Sequence, residues 1–513
     1  MRFKFKKLGI STGAVRIIIM DDDDAFELGA KPGDRVRIFH IDEENGSIIE
    51  PGIITIIDIA TGEEMLKRGE VGLYDEVAKK LELSSKTKEI EIQLSSRPKS
   101  FLSIKEKVKG KKLTTTQIQE IIQDCTHDNL LAIEKAAFIV GLETMGAKND
   151  EIVDLTEAMT HSGEVLDFGP ECYDKHSTGG VPGNKVTLII VPIVAAAGLL
   201  IPKTSTRAIT SPSGTADSFE VLAPVTFPKE EVVKLLQKEK AGIIWGGELD
   251  LAPADNALIR VEKPLTLDPL PLMIASILCK KKALGVRKLV LDIPCGKGTK
   301  FPMLEDGRKF ANKFKEIARR VGVECICLLT NASQPIGHAV GPALEAQEAL
   351  KLLIDPSFGP SSLRNKSCEL AGILLEMAGK AQEGEGKELA LEILNSGKAY
   401  KAMKRIIKAQ GGDPEIKPED IKIGPFVAEM KSTDNGFITA VRNEYVNRIA
   451  KIAGCPGVKE AGIVIERKIG QNTKKGEIIF KIYSYNEKRL KEAVEFYNSH
   501  PPQILGGMTL EKI

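Results

Sequence analysis

Charge of one sign is the first thing this sequence lacks. Its 72 lysines and arginines stand against 71 aspartates and glutamates, a formal net of +1. A nucleic-acid partner usually shows as a basic excess or stripe, so that class loses its simplest argument. A small anionic substrate stays open, because a few local donors can hold one. Cysteine patterning is missing too: Cys125, Cys172, Cys279, Cys295, Cys325, Cys327, Cys368 and Cys455 form no CxxC pair. Cys325 and Cys327, one residue apart in an apolar run, would share one face of a strand as core thiols. With neither zinc spacing nor a disulfide framework, a reducing, cytoplasmic compartment is expected. The histidines (His40, His127, His161, His176, His338 and His500) contain no HxH and no HExxH. No metal site is expected from them. Long hydrophobic runs are also absent. The longest, VTLIIVPIVAAAGLLIP at 186–202, is interrupted by Pro192 and Gly198; it is short for a membrane span and predicts a buried core helix. The basic start, MRFKFKKLGIST, is followed by no apolar signal core, so no membrane partner is expected.

What is present changes character along the chain. Up to about residue 95, VRIII, DRVRIF, IITIIDI and EIEIQL alternate apolar and polar residues between turn signals. Period-2 alternation predicts a small β-rich domain, interrupted by one helical stretch, YDEVAKKLEL. The run Asp21–Asp24 reads as a solvated turn. Residues 96–112, basic and polar with Pro98 and Gly110, read as a linker. Helices are predicted from LTTTQIQEII onward, where Thr114 and Gln117 suit a capping box. From about 173, Gly-rich loops alternate with apolar strands such as KLVLDIPCG and with long helices, which argues for an α/β sheet domain. From about 431 the chain returns to short strands and a terminal helix.

Three loops concentrate small donors and glycine. DKHSTGGVPGNKVT (174–187) leads into the apolar helix, and backbone amides at such a start, with Ser, Thr and Lys alongside, suit an anion. A P-loop is excluded by spacing, since Asn184 stands where its second glycine belongs. KTSTRAITSPSGTADSFEVL (203–222) is mostly Ser, Thr, Gly and Arg in its first half, a costly set to bury without a ligand. A plain surface loop is the alternative. In ADNALIRVEKPLTLDPLPLMIASILCKKKALG (254–285), Asp268 before Pro269 reads as an N-cap with proline at N1. Ser276 and Lys280, four apart, share a helix face. A helix N-terminus lowers a carboxylate's pKa, whereas a general acid needs it raised.

Taken together, from about residue 113 to the C-terminus, these loops resemble the thymidine and pyrimidine-nucleoside phosphorylase family. DKHSTGG is similar to its phosphate loop and STRAITSPSGTADSFE to its signature. LAPADNALIR, DPLPLMIASILCKK, SQPIGHAVGPALE and GFITAV follow in the family's order. Three departures point to one branch. The signature reads TRAITSPSG in place of a glycine- and histidine-rich version, the turn after GG is VPGNK and Leu188 replaces an expected phosphate-contacting serine, and a β-rich domain precedes the shared region. These features resemble the archaeal AMP phosphorylases.

The resemblance implies a helical domain beside a larger α/β domain, with the active-site cleft between them. An N-terminal β-barrel-like domain and a C-terminal α+β domain would flank the pair. It divides the chain into 1–95, a linker at 96–112, a helical domain at 113–172 with 262–285 contributing, 173–430, and 431–513. It implies phosphate contacts from Lys175, Ser177, Ser205 and Thr215. Nucleotide contacts would come from Gly180, Thr206, Arg207, Ala208, Ile209, Thr210, Ser211, Thr215, Ser276 and Lys300. Asp268 would be the proton donor to the leaving base, with Lys280 on the base side. A nucleoside 5′-phosphate needs its own cation, which Arg207 or Lys300 could supply. AMP and inorganic phosphate would be the substrates, CMP and UMP further candidates. No metal or organic cofactor is implied, and the assembly would be a dimer or a larger set of dimers. Three other readings stay open: a pyrimidine-nucleoside phosphorylase, an anthranilate-type phosphoribosyltransferase, and a nucleotide-binding scaffold without catalysis.

Overall fold

The computed structural model describes residues 1–507 except 14, 43, 44, 62–64, 84–86, 209, 210, 250 and 359. Its contacts divide the chain into two compact units: Met1–Gly163 with Ala252–Cys279, and Glu164–Leu251 with Lys280–Ile513. The chain therefore passes from one unit to the other three times.

The first unit opens with a closed six-stranded barrel. Around it run Arg2–Lys7, Glu70–Leu73, Ile17–Asp21, Ile48–Ala60, Arg35–Ile41 and Glu89–Leu94. The alternation seen in the sequence sets the faces: Ile18, Met20, Val36, Ile38, Ile90 and Ile92 are fully buried inside. Asp21–Asp24, expected as a turn, instead starts the helix Asp22–Leu28. Asp21 caps it by accepting from the Asp23 and Asp24 amides, and three acidic residues fill its first turn.

The barrel is followed by a helical bundle, which begins earlier than predicted. Residues 96–112 are not a linker, because they carry the helix Ser100–Val108. Its flanking lysines masked a buried face, where Ile104 is fully enclosed and Lys107 donates to Glu151 at 2.8 Å. The helices Thr115–Thr126, Ala132–Met145 and Asn149–Thr160 follow, with the Thr114/Gln117 capping box formed as expected. Ala252, Ala254, Leu258, Leu272, Ala275 and Cys279 join the same core, so the later contribution is 252–279, wider at its start than the expected 262–285.

The second unit is built on parallel strands. Lys288–Cys295 pairs in parallel with Glu324–Asn331 on one side and Tyr173–Ser177 on the other. A parallel bridge from Cys172 to Leu200 leads to Ile201–Ser205, which pairs in parallel with Ala241–Trp245. Strands covered on both faces read as continuous apolar runs rather than alternating ones. The run 186–202 divides into the helix Thr187–Ala196, buried from Thr187 through Ala195, and, from Ile201, a strand. Cys325 and Cys327 do share a face, with Sγ atoms 4.0 Å apart.

The α+β portion starts at the strand Phe426–Lys431 rather than at 431, since that strand pairs with Ile478–Ser484. It also takes in Ala339–Val340, paired with Gly462–Ile465. Among the described residues no helix is long and apolar enough to cross a membrane.

Candidate active site

In an open sheet of parallel strands, ligands bind outside the carboxyl ends, where loops lead into helices. Two such ends carry donor-rich segments of the sequence, and a third carries the loop with Lys300. Tyr173–Ser177 runs into 178–186, Ile201–Ser205 into 206–214, and Lys288–Cys295 into 296–303. The first and third approach closely. Gly180 has φ +86°, and a Cβ on it would lie 3.3 Å from the Lys300 amide nitrogen. Gly183, at φ +70°, would place a Cβ 2.6 Å from the Ile336 carbonyl oxygen. Only glycine fits both demands.

Beneath these loops lies a buried network of charge. Asp174 is fully enclosed; Lys281 donates to it at 2.6 Å and Lys203 pairs with it at 3.4 Å. Lys203 also donates to the Thr204 carbonyl at 2.7 Å. Asp292, equally enclosed, accepts from Ser177 at 2.8 Å and Thr330 at 2.6 Å, and pairs with Lys366 at 2.9 Å. Ser177 in turn accepts from the Gly179 amide and from Asn184 Nδ2. Lys175 is 3 % exposed, and among the described residues its ammonium makes no hydrogen bond or ion pair. Burial pulls it down to about 8 although Asp292 acts to raise it. Burial also pulls Lys203 well below the ordinary lysine value. His176 is held neutral by burial and by the neighbouring Lys281 and Lys203 charges. Such a set concentrates positive charge in a low-dielectric place, the environment in which an incoming oxyanion gains most.

The signature segment is folded tightly on itself. A Cβ on Gly214 would lie 2.5 Å from the Thr206 carbonyl oxygen. Asp217 accepts from the Ala208 and Gly214 amides at 2.7 and 2.9 Å, tying both ends of the segment to the short helix Thr215–Phe219. Ser211 donates to the Ser213 carbonyl, and Ser205 to the Ile244 carbonyl at 3.1 Å. Arg207 is bound bidentately by Glu220 at 2.7 and 2.8 Å and stacks over Trp245. Its hydrogen bond holds Glu220 down at about 2. To meet a 5′-phosphate, Arg207 would have to share itself with these carboxylates. Ile209 and Thr210 lie outside the described residues.

Asp268 and Ser276 belong to the barrel-and-bundle unit. Asp268 is exposed, and the helix Leu270–Ala283 starts one residue later than predicted. The Met273 amide bonds to the Pro269 carbonyl at 2.9 Å, so Pro269 stands at the N-cap and Asp268 just outside it. Proline's locked φ suits either place, which is why the dipeptide did not fix the register. Ser276 and Lys280 lie on this helix at the expected four-residue spacing.

These segments match known proteins. Residues 103–163 fit the helical bundle domain of a glycosyl transferase family, and residues 169–400 its a/b domain. Over its whole length the chain is 43% identical to an AMP phosphorylase of Methanosarcina acetivorans, covering 100% of this chain and 99% of that one. The same shares hold for an AMP phosphorylase of Thermococcus kodakarensis at 42% identity. The chain belongs to the glycosyl transferase family that contains the AMP phosphorylases. The family's helical domain thus ends where the first unit breaks, at 163, not at the expected 172. In fold, the chain also resembles anthranilate phosphoribosyltransferase from Thermus thermophilus. That chain matches with a TM-score of 0.51 at 20% identity, covering 60% of this chain and 99% of its own.

Several residues of this family member were not singled out from sequence. Lys203 sits inside the strand IPKTS, where every residue is buried. Lys281 lies seven residues after the buried Ile274, on the same helix face, and that period could have separated it from its exposed-looking neighbours in KKK. Asp174 and Asp292 offered no local signal beyond a carboxylate within an apolar strand.

Proposed function

We propose that this protein is a nucleoside-monophosphate phosphorylase. It would split AMP with inorganic phosphate into adenine and ribose 1,5-bisphosphate, CMP and UMP being further candidates. The observation that carries this reading is full-length identity above 40% to proteins named AMP phosphorylase, which extends through the N-terminal barrel. The buried lysines at the sheet's carboxyl edge support it, as a place for the attacking phosphate.

In this scheme the C1′–N bond to the base breaks and a C1′–O bond to phosphate forms. Lys175 is the cation nearest to being uncommitted, and Ser177, Ser205 and Thr215 would complete the phosphate contacts. Ser177 and Ser205 already donate to Asp292 and to a carbonyl, so each would turn its hydroxyl on binding. Gly180, Lys300 and the 206–211 segment would meet the nucleotide. Asp268 would deliver the proton that the departing base needs, with Ser276 and Lys280 orienting that base. Holding both reactants in place can supply roughly 7–11 kcal/mol of the acceleration, and general acid help about 10²–10⁴-fold. We further propose that the enzyme works without metal or organic cofactor, in the cytoplasm, as a dimer or an assembly of dimers.

The test is phosphate-dependent release of base from AMP and adenosine, side by side, without added metal. Rapid release from AMP and little from adenosine is expected. Release from nucleosides alone would replace this reading with a nucleoside phosphorylase.

A further inference from the structure

Outside the proposed site, the first unit holds a cavity of about 370 Å³ whose walls are largely polar. One wall is the barrel. On the strand Arg35–Ile41, Val36 and Ile38 point into the barrel core, so Arg35 and Arg37 point out of it. Opposite them in the ladder stand Gln93, paired with Arg37, and Ser95, whose amide bonds the Arg35 carbonyl. The floor is the segment 95–98 that leads into the bundle and brings Ser96 and Arg97. The other wall is Asn129, in the turn after the helix Thr115–Thr126.

Three guanidiniums therefore line one volume, and Glu134 is the carboxylate bonded to two of them, Arg35 and Arg97. Arg35 meets Glu134 at 2.7 Å, and Arg97 meets it through Nε at 3.3 Å. Arg35 is 9 % exposed and its Nε is buried without a hydrogen-bond partner. Arg37 holds the Pro51 carbonyl at 2.6 Å and Asn129 Oδ1 at 3.1 Å. Arg97 is held over the Phe101 ring, which leaves its terminal nitrogens, among the described residues, without a hydrogen bond. One carboxylate does not balance three arginines, of which Arg35 is buried, Arg37 half-buried and Arg97 exposed, and the uncompensated positive charge favours an anion among them.

We infer that this cavity is a second anion site, taking the phosphate group of a small phosphorylated molecule. Phosphate fits the donor set, since planar guanidiniums, hydroxyls and an amide nitrogen are its usual partners. The volume lies in the range of small-ligand pockets. A ligand there touches the barrel strand, the connecting segment and the bundle at once, so it would fasten the barrel to the bundle.

The test is equilibrium binding of labelled inorganic phosphate to the full chain, comparing the native protein with Arg37→Gln/Arg97→Ala. The native protein is expected to bind one more equivalent per chain than the variant, or to bind that equivalent at least about tenfold more tightly. Should the double variant not fold, Ser96→Asp places a negative charge at an exposed position of the same wall and is expected to have the same effect. Competition by AMP against the labelled phosphate tells a nucleotide's phosphate from the free ion, and either supports the site. An unchanged number of equivalents with unchanged affinity in both variants would overturn it. The phosphate contacts proposed for phosphorolysis, Lys175, Ser177, Ser205 and Thr215, lie in the other unit, so their failure to bind phosphate would lower both counts by one and leave this difference intact.

Discussion

Lys281 and Asp174 meet at 2.6 Å, one from a helix and the other from a parallel strand, with at most 2 % of either exposed. Their sequence separation is 107 residues. A buried pair of this kind adds little net stability, but removing Lys281 leaves Asp174 in low dielectric with only the longer contact to Lys203. Lys281→Met is expected to destabilise the second unit by about 3–5 kcal/mol, read as a lower denaturation midpoint. Lys281→Met/Asp174→Leu together should lose less than the sum of the two singles. Simple additivity would mean that the pair is not coupled.

Asp268→Asn keeps the shape and hydrogen-bonding size of the side chain while removing its acid function. Turnover of AMP is expected to fall by about 10²–10⁴-fold, while AMP affinity measured calorimetrically stays within a few-fold. A near-native rate would remove Asp268 from the chemistry.

Lys175 is held down to about 8 by burial, and as a phosphate contact it would give phosphate affinity a pH dependence. Below that value it is charged and attracts the anion; as pH rises through about 8 the charge goes, and KM for phosphate should climb. Lys175→Arg carries a charge that does not titrate in this range, so its KM should stay flat from pH 7 to 9. The linkage runs the opposite way for stability. Between about 8 and the ordinary lysine value the unfolded chain holds the proton that the folded one lacks, so this group's contribution to stability rises with pH there.

Glu345, buried and bonded to the Gly341 amide and Ser218, is raised by burial to about 7. The folded protein then binds a proton that the unfolded chain has released above the ordinary carboxyl range. Stability contributed by this group is complete at the acid end and lost as pH climbs through about 7. Denaturation midpoints of Glu345→Gln and the native protein should therefore diverge from pH 5 to 8, the variant losing less. Parallel curves would show that Glu345 stays ionised.

Much of this organisation was legible in the sequence because it rests on local pattern. The barrel strands announced themselves by period 2, the Thr114 cap by its spacing, and the loops at 174–187 and 203–222 by their glycines and hydroxyls. What escaped notice depended on distant neighbours. The helix Ser100–Val108 resembles a linker until Glu151 is seen to neutralise Lys107. The one-residue shift at Asp268 turns on which carbonyl accepts the first helical bond, and proline tolerates both. Lys203 and Lys281 look like ordinary lysines until a carboxylate more than twenty residues away is placed between them.

The three crossings of the chain between its two units have a consequence during synthesis. The bundle core needs Ala252, Leu258, Leu272 and Cys279, which leave the ribosome long after the helices they complete. Domains generally fold as they emerge, N-terminal first, yet here the barrel can close early while the bundle beside it waits with apolar surface uncovered. No single cut yields either unit whole. A gene truncated after residue 163 would thus encode a barrel with an unfinished bundle, a product suited to chaperone capture or aggregation rather than to independent life.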